Sequence, residues 1–336
     1  MLWDRVGTLV DQAPGLNSLR HHRLHLVAAD RMRSRGQAVP EELIAEERHQ
    51  ATVSISTRLL LQRIRAATDA QLLLMKGPEV ATFWPAAKLR PWKDLDLLVA
   101  DAPAVQRELR AAGFVEVEDS ELYKGLHHLG PLALPGIPLT IEVHSRPHWL
   151  DGDVPGDILD AAVPSALGVE GILAPALEHH VVMLAAHAWA HRVLDRLGWL
   201  VDIAALLQVV DRSEASAVAE SWGLSGVWNA TARAVDEVIE HGVERGPLWR
   251  RHLNAVRERT VFEEHVARIT GAVIAAPPRA APVAALEAVT RAIRPYPGES
   301  WAAKVRRTAI AARNAGTVRS AHEAALPAPL RRTGGR

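Results

Sequence analysis

The feature that most constrains the fold is a short run in which two acids enter a strongly apolar segment. Residues 94–99 have the sequence Asp-Leu-Asp-Leu-Leu-Val, and a continuous apolar run of this length predicts a buried β-strand. Alternate side chains of a strand share one face, so Asp94 and Asp96 project together, roughly 7 Å apart along the backbone. Two like charges this close are costly unless a cation lies between them, and divalent ions bound by oxygen are the usual solution. The run therefore predicts a metal site at the edge of a sheet.

Cationic residues surround this acidic run. Lys88, Arg90 and Lys93 come directly before it, and positive charge beside such a site favours a substrate that carries phosphate groups. Upstream, residues 72–75 predict a second buried strand that ends at Lys76-Gly77-Pro78, a tight turn into a helix over 79–84. Backbone N–H groups at such a turn, with the Lys76 ammonium, would hold an anion.

A third acid arrives later in the chain. Residues 138–144 alternate polar and apolar side chains and predict a strand with Glu142 and His144 on one face. With Asp94 and Asp96, Glu142 would complete a set of carboxylates that holds two divalent ions and clamps the attacking and leaving oxygens of a phosphoryl displacement. The alternative interpretation is two surface strands with scattered acids.

Composition excludes several other kinds of site. The chain of 336 residues contains no cysteine, so disulfides and thiolate metal sites are excluded, and a reducing cytoplasm is expected. Acids and bases balance at 39 each, which gives no global electrostatic case for nucleic acid or an anionic membrane. We find no signal peptide and no run of about 18 uncharged apolar residues, so no membrane span is predicted.

Periodicity divides the chain into four parts. Residues 1–67 predict an N-terminal helical segment, 68–150 a compact α/β core, 151–326 a helical C-terminal region and 327–336 a disordered tail. The predicted fold class is α+β, a small mixed sheet flanked by helices with a large all-helical C-terminal region.

Two histidine-containing stretches are open to several interpretations. His187, His191, Asp195 and Asp202 fall on one face of a predicted helix, where they would form a wall of the substrate cleft with Trp189 or Trp199 as a stacking plane. A polar seam between helices and a zinc site are the alternatives. The stretch containing His21, His22 and His25 predicts solvent-exposed histidines on a helix face, with a metal role as the alternative.

The order of the motifs resembles the nucleotidyltransferase superfamily with the DNA polymerase β-like fold, and within it a bacterial family of uncharacterised nucleotidyltransferases. The resemblance rests on Lys76-Gly77, Arg90-Pro91, residues 94–99, His-His-Leu-Gly-Pro at 127–131 and Ile-Glu-Val-His at 141–144. It implies that Asp94, Asp96 and Glu142 bind catalytic Mg²⁺, with Mn²⁺ as the other candidate ion. The superfamily more commonly has Gly-Ser or Gly-Gly where this chain has Lys76-Gly77.

The resemblance also implies the reaction, which is transfer of a nucleoside monophosphate from an NTP to an acceptor hydroxyl with release of pyrophosphate. The resemblance implies that the Lys76-Gly77 turn holds the triphosphate, and Arg90 and Lys93 are predicted to add positive charge at the nucleotide. The residues predicted to contact the acceptor or to orient other groups are His128, His144, His187 and Asp202. The NTP and the acceptor stay open, the acceptor being tRNA, protein, a sugar or a small metabolite, and so does the oligomeric state.

Two alternative functions accompany this prediction. The first is a catalytically silent module of the same fold that binds a partner protein or peptide. The second is a toxin-like enzyme that modifies tRNA through a basic C-terminal region, which includes Arg291, Arg294, Lys304, Arg306, Arg307, Arg313, Arg319, Arg331, Arg332 and Arg336. A solvated helix face with a basic tail is the simpler interpretation of this arginine series.

Overall fold

The structure is a computed structural model, and it describes residues 1–117, 128–147, 155–191, 194–241, 250, 259–266, 269, 279, 281–295 and 300–318. These residues form a mixed sheet enclosed by helices, which confirms the predicted α+β class. Among them, no helix combines the length and the apolar character needed to cross a bilayer.

The sheet contains seven short strands. Their bounds are β1 Leu72–Leu74, β2 Asp94–Leu98, β3 Val115–Glu116, β4 Leu132–Ala133, β5 Thr140–His144, β6 Val163–Pro164 and β7 Ile172–Ala174, and their spatial order is β3-β4-β5-β2-β1-β7-β6. The central pair, β2 and β5, runs parallel, whereas β1 is antiparallel to β2 and parallel to β7. The two acid-bearing strands therefore lie side by side in the middle of the sheet.

Helices precede, interrupt and follow the strands. Their bounds are α1 Leu2–Asp11, α2 Leu16–His21, α3 His25–Ser34, α4 Glu41–Ala67, α5 Pro78–Ala81, α6 Ala102–Ala111, α7 Gly156–Asp160, α8 Leu177–His191, α9 Leu197–Leu206, α10 Arg212–Ser221, α11 Ser225–Val235, α12 Ala281–Ile293 and α13 Trp301–Arg313. A 3₁₀ turn spans Ala87–Leu89 and a π-helical turn spans Asp236–Glu240. Helix α6 shows the usual start signal, since the Asp101 carboxylate accepts a hydrogen bond from the Ala104 N–H at 2.9 Å.

The alternation of β2 decides which face of the sheet carries the acids. Leu95 and Leu97 pack into a core shared with α4 and α6, and burial of each such side chain stabilises the fold by roughly 1.5–3 kcal/mol. Leu98 points the other way and packs in a small cluster with Met183 of α8. Asp96 shares the face of Leu98 because the two are separated by one intervening residue. The acids therefore lie on the side of the sheet that faces the C-terminal helices.

The sheet extends past residue 150, where the sequence predicted that the α/β core ends. β6 and β7 come later in the chain, and β7 pairs in parallel with β1. Strands of two and three residues are too short to show a periodic pattern, so the sequence contains no signal for them. At the N-terminal side, α4 shares one apolar core with the sheet.

Helix α5 is shorter than predicted. It ends at Ala81 instead of Trp84, because the N–H groups of Thr82, Phe83 and Trp84 bond to carbonyls three residues back, which tightens the last turn.

Part of the C-terminal arginine series is packed inside the fold. Lys304 and Arg307 are buried on α13, and the Lys304 Nζ donates a hydrogen bond to the Ala292 carbonyl at the end of α12. A wholly solvated face is therefore wrong for this part of the series. Arg319, Arg331, Arg332 and Arg336 lie outside the described residues.

Candidate active site

A tight glycine turn carries Lys76 to the acidic face. Gly77 has a φ of 67°, a conformation that favours glycine, and a Cβ at this position would lie 3.3 Å from the Asp94 carbonyl oxygen. The Met75 N–H continues the strand pairing by donating to the Asp96 carbonyl at 3.0 Å. The turn therefore passes close to the start of β2.

The centre of the site is the carboxylate of Asp96, which is 0% exposed. Its Oδ1 lies 3.1 Å from the Lys76 Nζ and 3.1 Å from the His144 Nε2. The same His144 nitrogen lies 3.5 Å from Glu142 Oε2. Glu142 is the register partner of Asp96 on the parallel strand β5. Strand pairing thus places the third acid directly across from the Asp-x-Asp pair.

The charges at this centre shift one another's protonation. Burial opposes ionisation of Asp96, but Lys76 and His144 hold the pKa of its carboxyl well below the ordinary range. Burial likewise opposes ionisation of Glu142, yet the hydrogen bond from His144 lowers its pKa. The pKa of Asp94 is raised by its own burial and by the nearby charge of Asp96. Burial opposes protonation of Lys76, but Asp96 and Asp94 raise its pKa, so at neutral pH the centre contains a fixed ammonium among carboxylates.

Three side chains of the centre fit a divalent cation. Ligand atoms of Asp96, Glu142 and His144 all lie within 4.8 Å of one another. The second oxygen of Asp96, Oδ2, is buried and accepts no hydrogen bond from the described residues. A buried carboxylate oxygen without a donor is a ready ligand, and carboxylates with one imidazole suit Mg²⁺ or, more strongly, Mn²⁺. Asp94 is not part of this close group, although it shares the face.

His128 joins the same centre from a neighbouring segment. Its Nε2 lies 3.9 Å from Glu142 Oε2, and its ring centroid is 5.1 Å from that of His144. The Nδ1 is held at 2.8 Å from the Leu129 carbonyl oxygen, and burial lowers the pKa of the imidazole. His127, the other histidine of the motif, lies outside the described residues.

Arg90 and Asp202 lie behind the glycine turn as a buried pair. The Arg90 Nε and Nη2 donate to the two Asp202 carboxylate oxygens at 2.7 and 2.8 Å, and the Nη1 donates to the Gly77 carbonyl at 3.0 Å. The Trp84 indole also donates to Asp202, at 2.9 Å. The pair therefore fastens α9 to the turn. Asp202 is thus paired inside the fold, and its contact with the acceptor and the phosphate role of Arg90 stay predictions.

The remaining predicted residues are dispersed. His187 packs edge-on against Trp199 at 5.6 Å, Lys93 is exposed at the entrance of β2, and Asp195 forms an ion pair with Arg259 at 3.1 Å. Two separate helices, α8 and α9, replace the single helix that would have aligned them. The side chain of His191 lies outside the described residues. Within the described part of the chain, the potential ligands close enough to share an ion are those of the Asp96 centre.

Comparison with known families agrees with this geometry. The profile of a family described as uncharacterised nucleotidyltransferases matches residues 10–238, more than half of the chain. The chain belongs to this family. The matched region covers the glycine turn, both acid-bearing strands and the helices α8 and α9.

Beyond the family, the similarities are distant. No curated protein matches this chain. Among solved structures, one similar chain is the antibiotic-resistance factor ANT(2'')-Ia, studied in solution, with 14% identity and a TM-score of 0.37. That match covers 56% of this chain and 99% of the other.

A further buried histidine lies beneath the glycine turn, and it was not predicted from the sequence. His180 of α8 is 1% exposed and hydrogen-bonds to the backbone of Met75, the second residue before Gly77. Burial and the nearby charge of Arg90 lower its pKa from 6.5 to about 4. No sequence signal distinguishes it from its neighbour His179, because only the packing of α8 decides which of the two faces the turn.

This buried histidine predicts an acid-sensitive fold. The unfolded chain binds a proton at position 180 below about pH 6.5, whereas the folded chain binds it only near pH 4, so stability falls as pH falls through this window. We expect a loss of about 3 kcal/mol over the window, since one pKa unit corresponds to about 1.4 kcal/mol. Denaturant unfolding between pH 7 and 4 measures it. His180→Asn should weaken the dependence of the unfolding free energy on pH. His49→Gln, which changes an exposed histidine, should leave this dependence unchanged. The same dependence on pH in the wild type and both variants would contradict the prediction.

Proposed function

We propose that the chain transfers a nucleoside monophosphate from an NTP to an acceptor hydroxyl and releases pyrophosphate, with Mg²⁺ or Mn²⁺ at the Asp96 centre. The observation that carries the proposal is the register of the parallel strands, which sets Glu142 across from Asp96 while Asp96 Oδ2 accepts no hydrogen bond from the described residues. The family to which the chain belongs supports the same class of reaction.

In the proposed reaction, the acceptor oxygen attacks the α-phosphorus of the NTP. A new O–P bond forms, the bond from the α-phosphorus to the oxygen bridging to the β-phosphorus breaks, and the electron pair leaves with pyrophosphate. The bound divalent ion would polarise the phosphoryl oxygens and neutralise developing charge. Asp96, Glu142 and His144 would hold it, and Asp94 adds negative charge on the same face.

Two residues of the site have further proposed roles. Glu142 is ionised at neutral pH because its pKa lies below the ordinary value, so its carboxylate can accept the proton of the acceptor hydroxyl. The Lys76 ammonium already lies at the acidic centre, where it pairs with Asp96. When the nucleotide binds, Lys76 would give up part of this interaction and contact a phosphate oxygen instead. His128, 3.9 Å from Glu142, would orient that carboxylate.

A labelling experiment tests the proposal. The protein is incubated with each NTP labelled at the α-phosphate, with an extract of RNA, protein and small molecules, and with Mg²⁺, Mn²⁺ or a chelator. We expect label to pass to an acceptor with one NTP in particular, only when a divalent ion is present. Absence of transfer with every NTP and both ions would contradict the enzyme and favour the silent partner-binding module. Label in tRNA would identify the toxin-like alternative.

A further inference from the structure

Arg23, in the loop between α2 and α3, has an unusual backbone conformation. Its φ is 58°, a left-handed value that costs free energy for any residue with a side chain. Within the described residues, Leu194 is the other non-glycine residue with positive φ. The conformation belongs to the C-terminal cap of α2, in which the Arg23 N–H donates to the Arg20 carbonyl at 3.1 Å and the Leu24 N–H to the Leu19 carbonyl at 2.8 Å.

The neighbouring residues show what holds this loop. His22 is fully buried, its Nδ1 accepts a hydrogen bond from the Leu197 N–H at 3.3 Å, and its carbonyl accepts one from the Gly198 N–H at 3.0 Å. Gly198 permits the approach, because a Cβ there would lie 2.6 Å from the His22 carbonyl oxygen. The prediction of solvent-exposed histidines is therefore wrong for His22, which anchors the N-terminal segment to the start of α9.

This anchoring holds Arg23 against the start of α9. The half-buried guanidinium interacts electrostatically with Arg90, Asp94, Asp96 and Asp202, and both burial and Arg90 lower its pKa. Among the residues that the structure describes, none accepts a hydrogen bond from it or forms an ion pair with it. A partly desolvated guanidinium whose N–H donors have no acceptor among these residues is available to bind an anion. The Cβ of Arg23 lies 3.3 Å from the position that a Cβ of Gly198 would take, and Gly198 shares one face of α9 with Asp202, four residues further on. Asp202 binds Arg90, which donates to the Gly77 carbonyl, so Arg23 lies beside the pair that holds the glycine turn.

We propose that Arg23 binds the triphosphate of the NTP and that the N-terminal helical segment thereby completes the nucleotide site. The inference rests on the proposed function, because it takes the anion to be the substrate of the Asp96 centre. The cap at the end of α2 fixes the Arg23 backbone, and the guanidinium offers a fork of N–H donors that suits phosphate oxygens. The glycine turn would then contact the phosphates from one element of the fold and Arg23 from another.

The substitution Arg23→Gly separates binding from folding. Glycine adopts a positive φ without strain, so the variant should melt at the same temperature as the wild type or higher. Loss of charge-assisted hydrogen bonds should nevertheless raise the Kd for tripolyphosphate with Mg²⁺, and for non-hydrolysable analogues of the four NTPs, by about tenfold or more. Arg23→Lys should fall between the two, because it keeps the charge and loses the fork.

A matched control and two contradicting outcomes complete the test. Arg33→Ala removes another arginine of the same segment, one that forms an exposed ion pair with Glu47, and should bind the probes as the wild type does. Unchanged Kd values in Arg23→Gly, with a wild type that binds, would overturn the role of Arg23 alone. A wild type that binds none of the probes would overturn this inference together with the proposed function.

Discussion

Replacing Asp96 by asparagine is expected to reduce nucleotidyl transfer by about a hundredfold to a thousandfold, because removing one preorganised electrostatic group at a reacting centre commonly costs this much. The asparagine side chain would keep the shape of the aspartate but lose the charge that pairs with Lys76 and that we propose to hold a divalent ion. The measurement is the initial rate of label transfer at several Mg²⁺ and Mn²⁺ concentrations, together with metal affinity by calorimetry. Glu142→Gln should also lower the rate of label transfer, because the Glu142 carboxylate belongs to the same group of candidate metal ligands.

Stability needs a separate control, because Asp96 is also the ion-pair partner of Lys76 at 3.1 Å. Removing one partner of a buried pair leaves an uncompensated charge and typically costs about 3–5 kcal/mol. The double variant Lys76→Met with Asp96→Asn removes both charges, and it should recover much of the stability without recovering transfer. Full activity of Asp96→Asn with an unchanged Mg²⁺ dependence would show that the metal assignment is wrong.

The second large effect is expected at the Arg90–Asp202 pair. Asp202→Ala leaves the Arg90 guanidinium buried without its carboxylate, so the free energy of unfolding should fall by about 3–5 kcal/mol. Because Arg90 also bonds to the Gly77 carbonyl, displacement of its side chain should shift the turn and weaken NTP binding. Denaturant unfolding and nucleotide titration measure the two consequences independently.

An arginine–aspartate ion pair on the surface provides the control. Arg212 and Asp236 meet at 2.6 Å on the surface, where such pairs contribute about 1 kcal/mol or less, so Asp236→Ala should change little. Arg90→Met with Asp202→Leu should restore much of the stability, because apolar replacement of a buried pair is often neutral. If Asp202→Ala unfolds at the same denaturant concentration as Asp236→Ala, the pair does not fasten the turn.

These experiments address residues of two kinds, those visible in the sequence and those that only the fold brings together. The Asp-x-Asp run and the Glu-x-His run were recognisable because a strand alternates with period two, which a local pattern reports directly. The same rule placed Asp96 and Glu142 each on a definite face. It could not say which strands are neighbours, because pairing depends on the whole sheet.

The positions that sequence reasoning missed or left open all depend on contacts between distant parts of the chain. Arg90 and Asp202 are 112 residues apart in the chain. The sequence predicted contact with the nucleotide for Arg90 and with the acceptor for Asp202, but in the structure the two side chains bind each other. His180 was missed because burial under the turn, and not its residue type, lowers its pKa. The buried His22 was predicted to be exposed because its partners, Leu197 and Gly198, belong to a helix far along the chain.

By itself, the sequence determined the fold class, the family resemblance and the strand positions of Asp96 and Glu142, since these follow from local spacing and residue chemistry. The tertiary structure alone decided that Lys76 bonds to Asp96, that Arg90 is directed away from solvent into Asp202, and that the N-terminal segment with Arg23 is anchored to the start of α9. The physical reason is that a charge takes its role from the partners and the burial around it, and both are set by packing between elements that the sequence holds far apart.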